Sequence, residues 1–367
     1  MDIKIEVPDS AEGLTEFLQF YDEVHAYHEA KWPAPSELQL AFLKGEVPIA
    51  EGRRIRPFVA RSQGSILARA VAVVDTRYNR HWHEHLGHIV MFEALAGSDN
   101  ATKLLIDAAC AWLQEQGMVA ARTGFHFSCL DMPYVIDAYD TLPQDLLRQN
   151  PPYYHSLLKG ARMELEKGMV DYKIEVRPEL IGQWEEALEK ARRAGYEIQP
   201  FEAIPEKRRV EELTRVWAES FKAHWGLAPL SEQEIALFSA AFRPAGGDAT
   251  TVIAYKDGEP LGALIARPEI SETAILKPGR SLKDSEKLNM LGIGVCEQAR
   301  GKGVNLAIAA YAYLELVCRG AKYLSFTLVL DDNWPSRRTA EKLGAYVCAN
   351  YVVYRRNLSR RGCVSPS

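Results

Sequence analysis

The residues whose chemistry is easiest to name lie in one run, Cys296-Glu-Gln-Ala-Arg300-Gly-Lys-Gly303-Val-Asn305. The apolar stretch 289–296 reads as a buried strand, and the Ala-rich stretch 305–319 has helical period. Gly301 and Gly303 let the backbone pass close to a ligand, while amides at a helix start point outward along the positive end of the dipole. Arg300 and Lys302 add charge. Strand, Gly-x-Gly turn and helix in this order make a pyrophosphate cradle of a different length from GxGxxG and GxxxxGK[ST], neither of which occurs here. A plain helix start with turn glycines has the same local appearance.

Other residues offer chemistry less specifically. Asn333-Trp-Pro opens a further helical stretch, where Asn333 is a good cap. His81, His83, His85 and His88 cluster, yet HExxH is not met because Gly87 stands four residues after His83; a polar loop between strands is expected, and no metal. The basic clusters 190–193 and 206–209 sit beside acids and read as solvated helix faces. Residues 125–149 are long for a connection and are expected to wall an acceptor pocket, with His126, Asp131, Tyr134 and Asp137 as its polar groups.

The elements that position these residues occur twice. Phe58-Val-Ala-Arg-Ser-Gln-Gly64 and Val252-Ile-Ala-Tyr-Lys-Asp-Gly258 both read as strand, turn and strand. Leu86–Ala94 parallels Leu291–Ala299, each followed by a helical stretch, and Asn150-Pro-Pro parallels Asn333-Trp-Pro. Each half thus reads as hairpin, strand, helix, strand, helix, strand, an α/β class with helices on a mixed sheet. The boundary is expected at Arg177-Pro178, giving domains 1–177 and 178–367. The first half has Leu95-Ala-Gly97-Ser-Asp99 in the cradle position, with an acid where a phosphate would lie.

Bulk properties agree. A chain of 367 residues, 47% hydrophobic and 25% charged, suits two soluble domains. A net charge of −5 argues against nucleic acid and anionic membranes as partners. The N-terminus has no signal-peptide core, and the six scattered cysteines read as reduced thiols, so a cytoplasmic setting is expected.

Gln298-x-x-Gly301-x-Gly303 between strand and helix resembles the acyl-CoA loop of the GCN5-related N-acetyltransferase (GNAT) superfamily, whose pattern is Gln/Arg-x-x-Gly-x-Gly/Ala. The Asn333 helix start and the Glu341-Lys-Leu-Gly344 ending extend the resemblance over residues 250–357. It implies two tandem GNAT-like domains, each a mixed, mostly antiparallel sheet flanked by helices, with acetyl-CoA or another acyl-CoA as co-substrate. By the same resemblance Gly294, Val295 and Cys296 would bind the pantetheine arm through their backbone. Gln298, Ala299, Arg300, Gly301, Lys302, Gly303, Val304 and Asn305 would hold the pyrophosphate, and Asn333 would contact the arm. Arg77-Tyr-Asn, Asn150-Pro-Pro-Tyr-Tyr and Leu330-Asp-Asp-Asn-x-Pro together are similar to a bacterial group of two-domain acetyltransferase-like proteins.

One departure matters. Many GNAT enzymes carry a Tyr seven residues after that Asn to protonate the leaving thiolate, and here the position is Ala340. Tyr351 and Tyr354 are substitutes to consider, and Glu286, Glu297 and Asp331 are acids near the site in sequence; none is assigned a catalytic role. The leading function is acetyl transfer to a small-molecule amine. A non-catalytic acyl-CoA-binding protein and an aminoacyl transferase of cell-wall type are the alternatives, the last disfavoured by the mild acidity.

Overall fold

In the computed structural model, residues 2–129 and 131–358 are described, and Cys363 lies outside them. The chain packs into two units, one of residues up to 139, 148–168 and 351–358, the other of 140–147 and 169–350.

The first unit runs β1 (Lys4–Glu6), α1 (Ala11–Val24), β2 (Ala30–Lys31), α2 (Ser36–Lys44), β3 (Arg53–Ser62), β4 (Ser65–Asp75) and α3 (Thr76–Trp82). It continues with β5 (Leu86–Ala94), α4 (Asp99–Glu115), β6 (Ala120–Thr123), β7 (Tyr134–Val135), α5 (Tyr154–Gly160) and the start of β8 (Glu164–Glu175). The second unit takes the rest of β8, then α6 (Pro178–Arg193), β9 (Glu197–Pro200), α7 (Glu206–Phe221), α8 (Glu232–Phe242), α9 (Gly247–Thr250), β10 (Val252–Lys256) and β11 (Glu259–Arg267). There follow β12 (Ile275–Leu276), β13 (Leu288–Val295), α10 (Val304–Cys318), β14 (Tyr323–Leu330), α11 (Trp334–Lys342) and β15 (Tyr346–Asn357), whose last residues, from Tyr351 on, belong to the first unit.

The strands of the two units are ordered alike. In the first, β1, β3, β4, β5 and β6 lie side by side and β15 joins β6 through Tyr354↔Thr123 to Asn357↔Ala120. In the second the order is β8, β14, β13, β11, β10, β9. In each unit one of these strand pairs is parallel, β5 with β6 and β13 with β14. The two hairpins turn on Gln63-Gly64 and Asp257-Gly258, all four residues with positive φ, the two-residue turn whose twist matches flanking strands. Glycine also admits the central helices. A Cβ on Gly87 would strike Leu113 of α4 at 2.4 Å, and one on Gly262 would strike Val304 of α10 at 2.9 Å. The α6 and α10 face of the second unit holds a core that includes Trp184, Leu264, Ile308, Tyr313 and Leu324, with Trp184 stacked on Tyr313 at 4.6 Å.

Two expectations need correction. The stretch before His83 is a helix, because Asp75 accepts from the Arg77 and Tyr78 amides and so caps α3. His83 then closes it at φ 53, and His88 is carried into β5 as a buried residue. The repeat is also offset. Leu95 and Cys296, each just past its strand, donate to Leu67 O and Leu261 O, so Ala94 corresponds to Val295 and not to Ala299. The irregularity at Met91, a non-glycine at φ 53, and a shorter following loop hide this from a residue-by-residue match.

Candidate functional site

The parallel strands β13 and β14 pair from Leu288↔Tyr323 to Leu291↔Phe326 and no further. Beyond that point β13 stays with β11 as far as Gly262↔Val295. β14 breaks register, with Leu328 at φ 57, and resumes on β8 at Val329↔Val170. The two strands therefore part. In an antiparallel ladder the hydrogen-bonding edge alternates; the Cys296 amide bonds Leu261 O at 2.9 Å, so Gly294 and Cys296 face β11 while Ile293 and Val295 turn their backbone groups to the gap. Of the three residues expected to bind a pantetheine arm through backbone, Val295 is the one whose amide faces the gap, its carbonyl accepting from Arg300.

Because β13 and β14 are parallel, their carboxyl ends lie at one edge of the sheet, where open α/β sheets put their ligands. There the chain forms a short 3-10 turn at Glu297–Ala299 and then α10. Ala299 and Val304, each 1% exposed, peg the loop into the core, while Gln298, Arg300, Gly301, Lys302 and Gly303 are exposed. Gly301 and Gly303 have φ of +74 and +83, and a Cβ on either would meet nothing within 4 Å. Their freedom serves the loop path and not packing. The first intrahelical bond of α10 runs from the Ala307 amide to Gly303 O, leaving the amides of Val304, Asn305 and Leu306 as the outward donors of a helix start.

Arg300, expected as added charge, also braces the loop. Its guanidinium donates to Val295 O at 3.2 Å and Ser220 O at 2.9 Å, bracing the loop against β13 and α7. Gly294 serves packing: a Cβ there would lie 2.9 Å from Phe221 and 3.0 Å from Ser220. Gly292 likewise receives Trp217, which contacts Phe221 at 4.5 Å between ring centres. At the end of β14, Asn333 Oδ1 accepts from the Ser336 amide at 3.3 Å, the cap of α11, and its Nδ2 is left as a donor. Arg337 bonds Tyr172 OH and Asp331 O and stacks on exposed Trp334, holding this corner.

The equivalent edge in the first unit is filled by the protein itself. β5 and β6 also stop pairing, at Ile89↔Thr123. Past it, Phe92 O accepts from Arg148 at 3.1 Å, the Ala94 amide donates to Tyr154 OH at 3.0 Å, and Ala94 O accepts from Tyr153 OH at 2.9 Å. Between strand and helix the loop has four residues, 95–98, where the second unit has eight, 296–303. Asn150, the counterpart of Asn333, is buried and bonds the amide and carbonyl of Val135.

This arrangement also corrects the reading of the 125–149 segment as a pocket wall. Asp131 is buried against Arg148 and the Gly124 amide. His126 pairs with Asp75 at 3.1 Å, and Tyr134 OH bonds Thr123 at 2.8 Å. Residues 140–147 belong to the second unit, where Asp145 pairs with Arg267 and the Leu142 amide with Glu286. That contact and Arg280 make Glu286 a structural acid. Glu297 pairs with Lys222 at 3.1 Å, and Asp331 is exposed. Tyr351 and Tyr354 are buried in the first unit, with Tyr354 OH 2.8 Å from His155 Nδ1, and burial lifts Tyr354 to about 12. Ala340 is buried in α11.

No family model matches the chain. Protein YghO of Escherichia coli (strain K12) is 23% identical over 330 residues, covering 82% of either chain. Among solved structures, a tandem GNAT protein from the clavulanic acid biosynthesis pathway matches 97% of this chain and 98% of its own at a TM-score of 0.57 and 11% identity. A GCN5-related glucosamine N-acetyltransferase region of a fungal multi-domain GH3 β-N-acetylglucosaminidase gives 0.59 and 16% over 97% of this chain, which spans 38% of that longer protein. A GCN5-related N-acetyltransferase from Sphaerobacter thermophilus gives 0.51 and 13%. The fold is the tandem GNAT fold.

Proposed function

We propose that the protein is an acyl-CoA-dependent N-acyltransferase that acts on a small-molecule amine and binds its acyl donor at one site, in the C-terminal half. The observation that carries this reading is the contrast between the two parting strand pairs. The edge of β5 is closed by Arg148, Tyr153 and Tyr154, whereas β13 leads into an exposed loop whose two left-handed glycines stand in open space. The Val295 amide would take the pantetheine arm, and the amides of Gly301, Gly303, Val304 and Asn305 with the Lys302 ammonium the pyrophosphate. Asn333 Nδ2 would donate to the arm, while Arg300 keeps the loop in shape. Trp217 and Phe221 on the opposite face offer an apolar wall to the acceptor. We take Arg177-Pro178, between β8 and α6, as the covalent boundary of the two halves. Buried free thiols at Cys110, Cys129 and Cys296 suit the cytoplasm.

The buried methyl of Ala340 favours a second reading, an acyl-CoA-binding protein that transfers nothing. Calorimetric titration with acetyl-CoA tests the site, and thiol release over a panel of primary amines tests the transfer. Binding without turnover on any amine would select the second reading; no binding would overturn both.

A further inference from the structure

Asp171 lies on β8 where β14 leaves its register. Its neighbours Val170, Tyr172 and Ile174 enter the core on the α6 and α10 side. Alternation therefore puts Asp171 and Lys173 on the other face of the sheet, the face on which α7 covers Gly292 and Gly294. Asp171 is 2% exposed and accepts from Ser325 Oγ at 2.9 Å, with Cys348 Sγ 3.4 Å from its other oxygen. Thr327 Oγ1, in the segment of β14 that borders the gap, is buried without a hydrogen bond of normal geometry. Among the described residues Asp171 has no ion-pair partner. A buried carboxyl so placed is costly, and it stands about one strand spacing, roughly 5 Å, from the stretch of β14 that parts from β13.

We propose that Asp171 is a catalytic residue of acyl transfer, accepting the proton that the acceptor amine loses and returning it to the departing sulfur. The inference rests on the acyl-transfer reading above. The neutral amine's lone pair forms the bond to the carbonyl carbon, the electron pair of the carbon–sulfur bond leaves with sulfur, and one proton moves from nitrogen to Asp171 and then to sulfur. Burial lifts this carboxyl to about 6, against the hydrogen bonds from Ser325 and Cys348 that favour its charged form. Above that pH it is ionised and can receive a proton. Once protonated it is a stronger acid than a thiol of about 8.5, so transfer to sulfur is downhill. The titratable groups facing it are Lys173 from β8 and Cys348 from β15, and β14 presents the hydroxyls of Ser325 and Thr327. A proton donor is thereby supplied in a chain with alanine at position 340.

The test compares wild type with Asp171→Asn, using acetyl-CoA with glucosamine, spermidine and phenethylamine as probe acceptors and thiol release as readout from about pH 5 to about 9. Wild-type kcat is expected to fall on the acid side with a midpoint near 6. The Asn variant is expected to lose roughly 10²- to 10⁴-fold in kcat, to lose that limb, and to keep its acetyl-CoA Kd within about twofold. Retained kcat with the acid limb intact would overturn the inference. Should Asp171→Asn fail to fold, Ser325→Ala decides: loss of its donated hydrogen bond moves the limb to higher pH, and an unmoved limb overturns the proposal. Wild type that turns over none of the probes overturns the transfer reading itself, before any variant is made.

Discussion

Gly301→Ala isolates the cradle because a matched control exists elsewhere in the same chain. Gly301 has φ +74 and Gly97, in the corresponding loop of the first unit, has φ +75; a Cβ on either meets nothing within 4 Å. Alanine in the left-handed region costs roughly 1–2 kcal/mol at each site, which for units of this size lowers the melting temperature by roughly 2–8 °C. Only at Gly301 does the new methyl group stand where a phosphate would approach the amides. Losing hydrogen bonds to a charged group costs about 1.5–3 kcal/mol, so acetyl-CoA Kd should rise roughly 10- to 150-fold in Gly301→Ala and stay within about twofold in Gly97→Ala. Calorimetry and thermal melts on the two variants read both quantities. Equal Kd values for the two, after equal losses of stability, would refute the cradle.

Calorimetry on wild type should give one acetyl-CoA per chain; a stoichiometry near two would mean that the Arg148, Tyr153 and Tyr154 contacts open in solution. Tyr154→Phe removes the acceptor of the Ala94 amide and the donor to Glu93; chemical denaturation should show a loss of roughly 2–4 kcal/mol with acetyl-CoA Kd unchanged, and a loss below about 0.5 kcal/mol would show that these bonds are replaceable. For His126, burial opposes the charge, and Cys129 and Asp75 outweigh it and lift the ring to about 9. This value lies above the roughly 6.5 of an unfolded imidazole. Its contribution is therefore complete below about 6.5 and is lost as pH rises through about 9. Wild-type melting temperature should fall over that window and Asp75→Asn should start lower, by about 3–5 kcal/mol of stability, and fall less. Parallel pH dependences in the two proteins would contradict the pairing.

Much of the local structure of the candidate site was legible because glycine and helix-start chemistry are local. The loop 298–303, its α10 start and the Asn333 cap all depend on residues close in sequence. What the sequence hid was tertiary. Gly294 also makes room for Phe221, and Arg300 also braces the loop through Ser220 O at 2.9 Å, contacts with residues distant in sequence. Asp171 sits in Val170-Asp-Tyr-Lys-Ile-Glu-Val176, an alternation that marks its face as solvated, although the folded chain buries that face at Asp171. In the first half, Asp99 suggests repulsion of a phosphate, and what the sequence does not show is Tyr153 and Tyr154, far along the chain, seated on the backbone of β5.

The division of β15 has a consequence for biosynthesis. Residues from Tyr351 on pair with β6 and β7 of the first unit, yet the ribosome makes them only after the whole of 169–350. At roughly 5–20 residues per second, the nascent first unit waits about 10 to 40 seconds after residue 168 before that strand is even synthesised. Throughout the delay the edge of β6 presents unpaired amides and carbonyls, a template for pairing with other chains. Chaperone demand during translation should thus be set by how late β15 is made, and a product stalled before residue 351 would expose the open β6 edge of the first unit while its second unit is nearly complete.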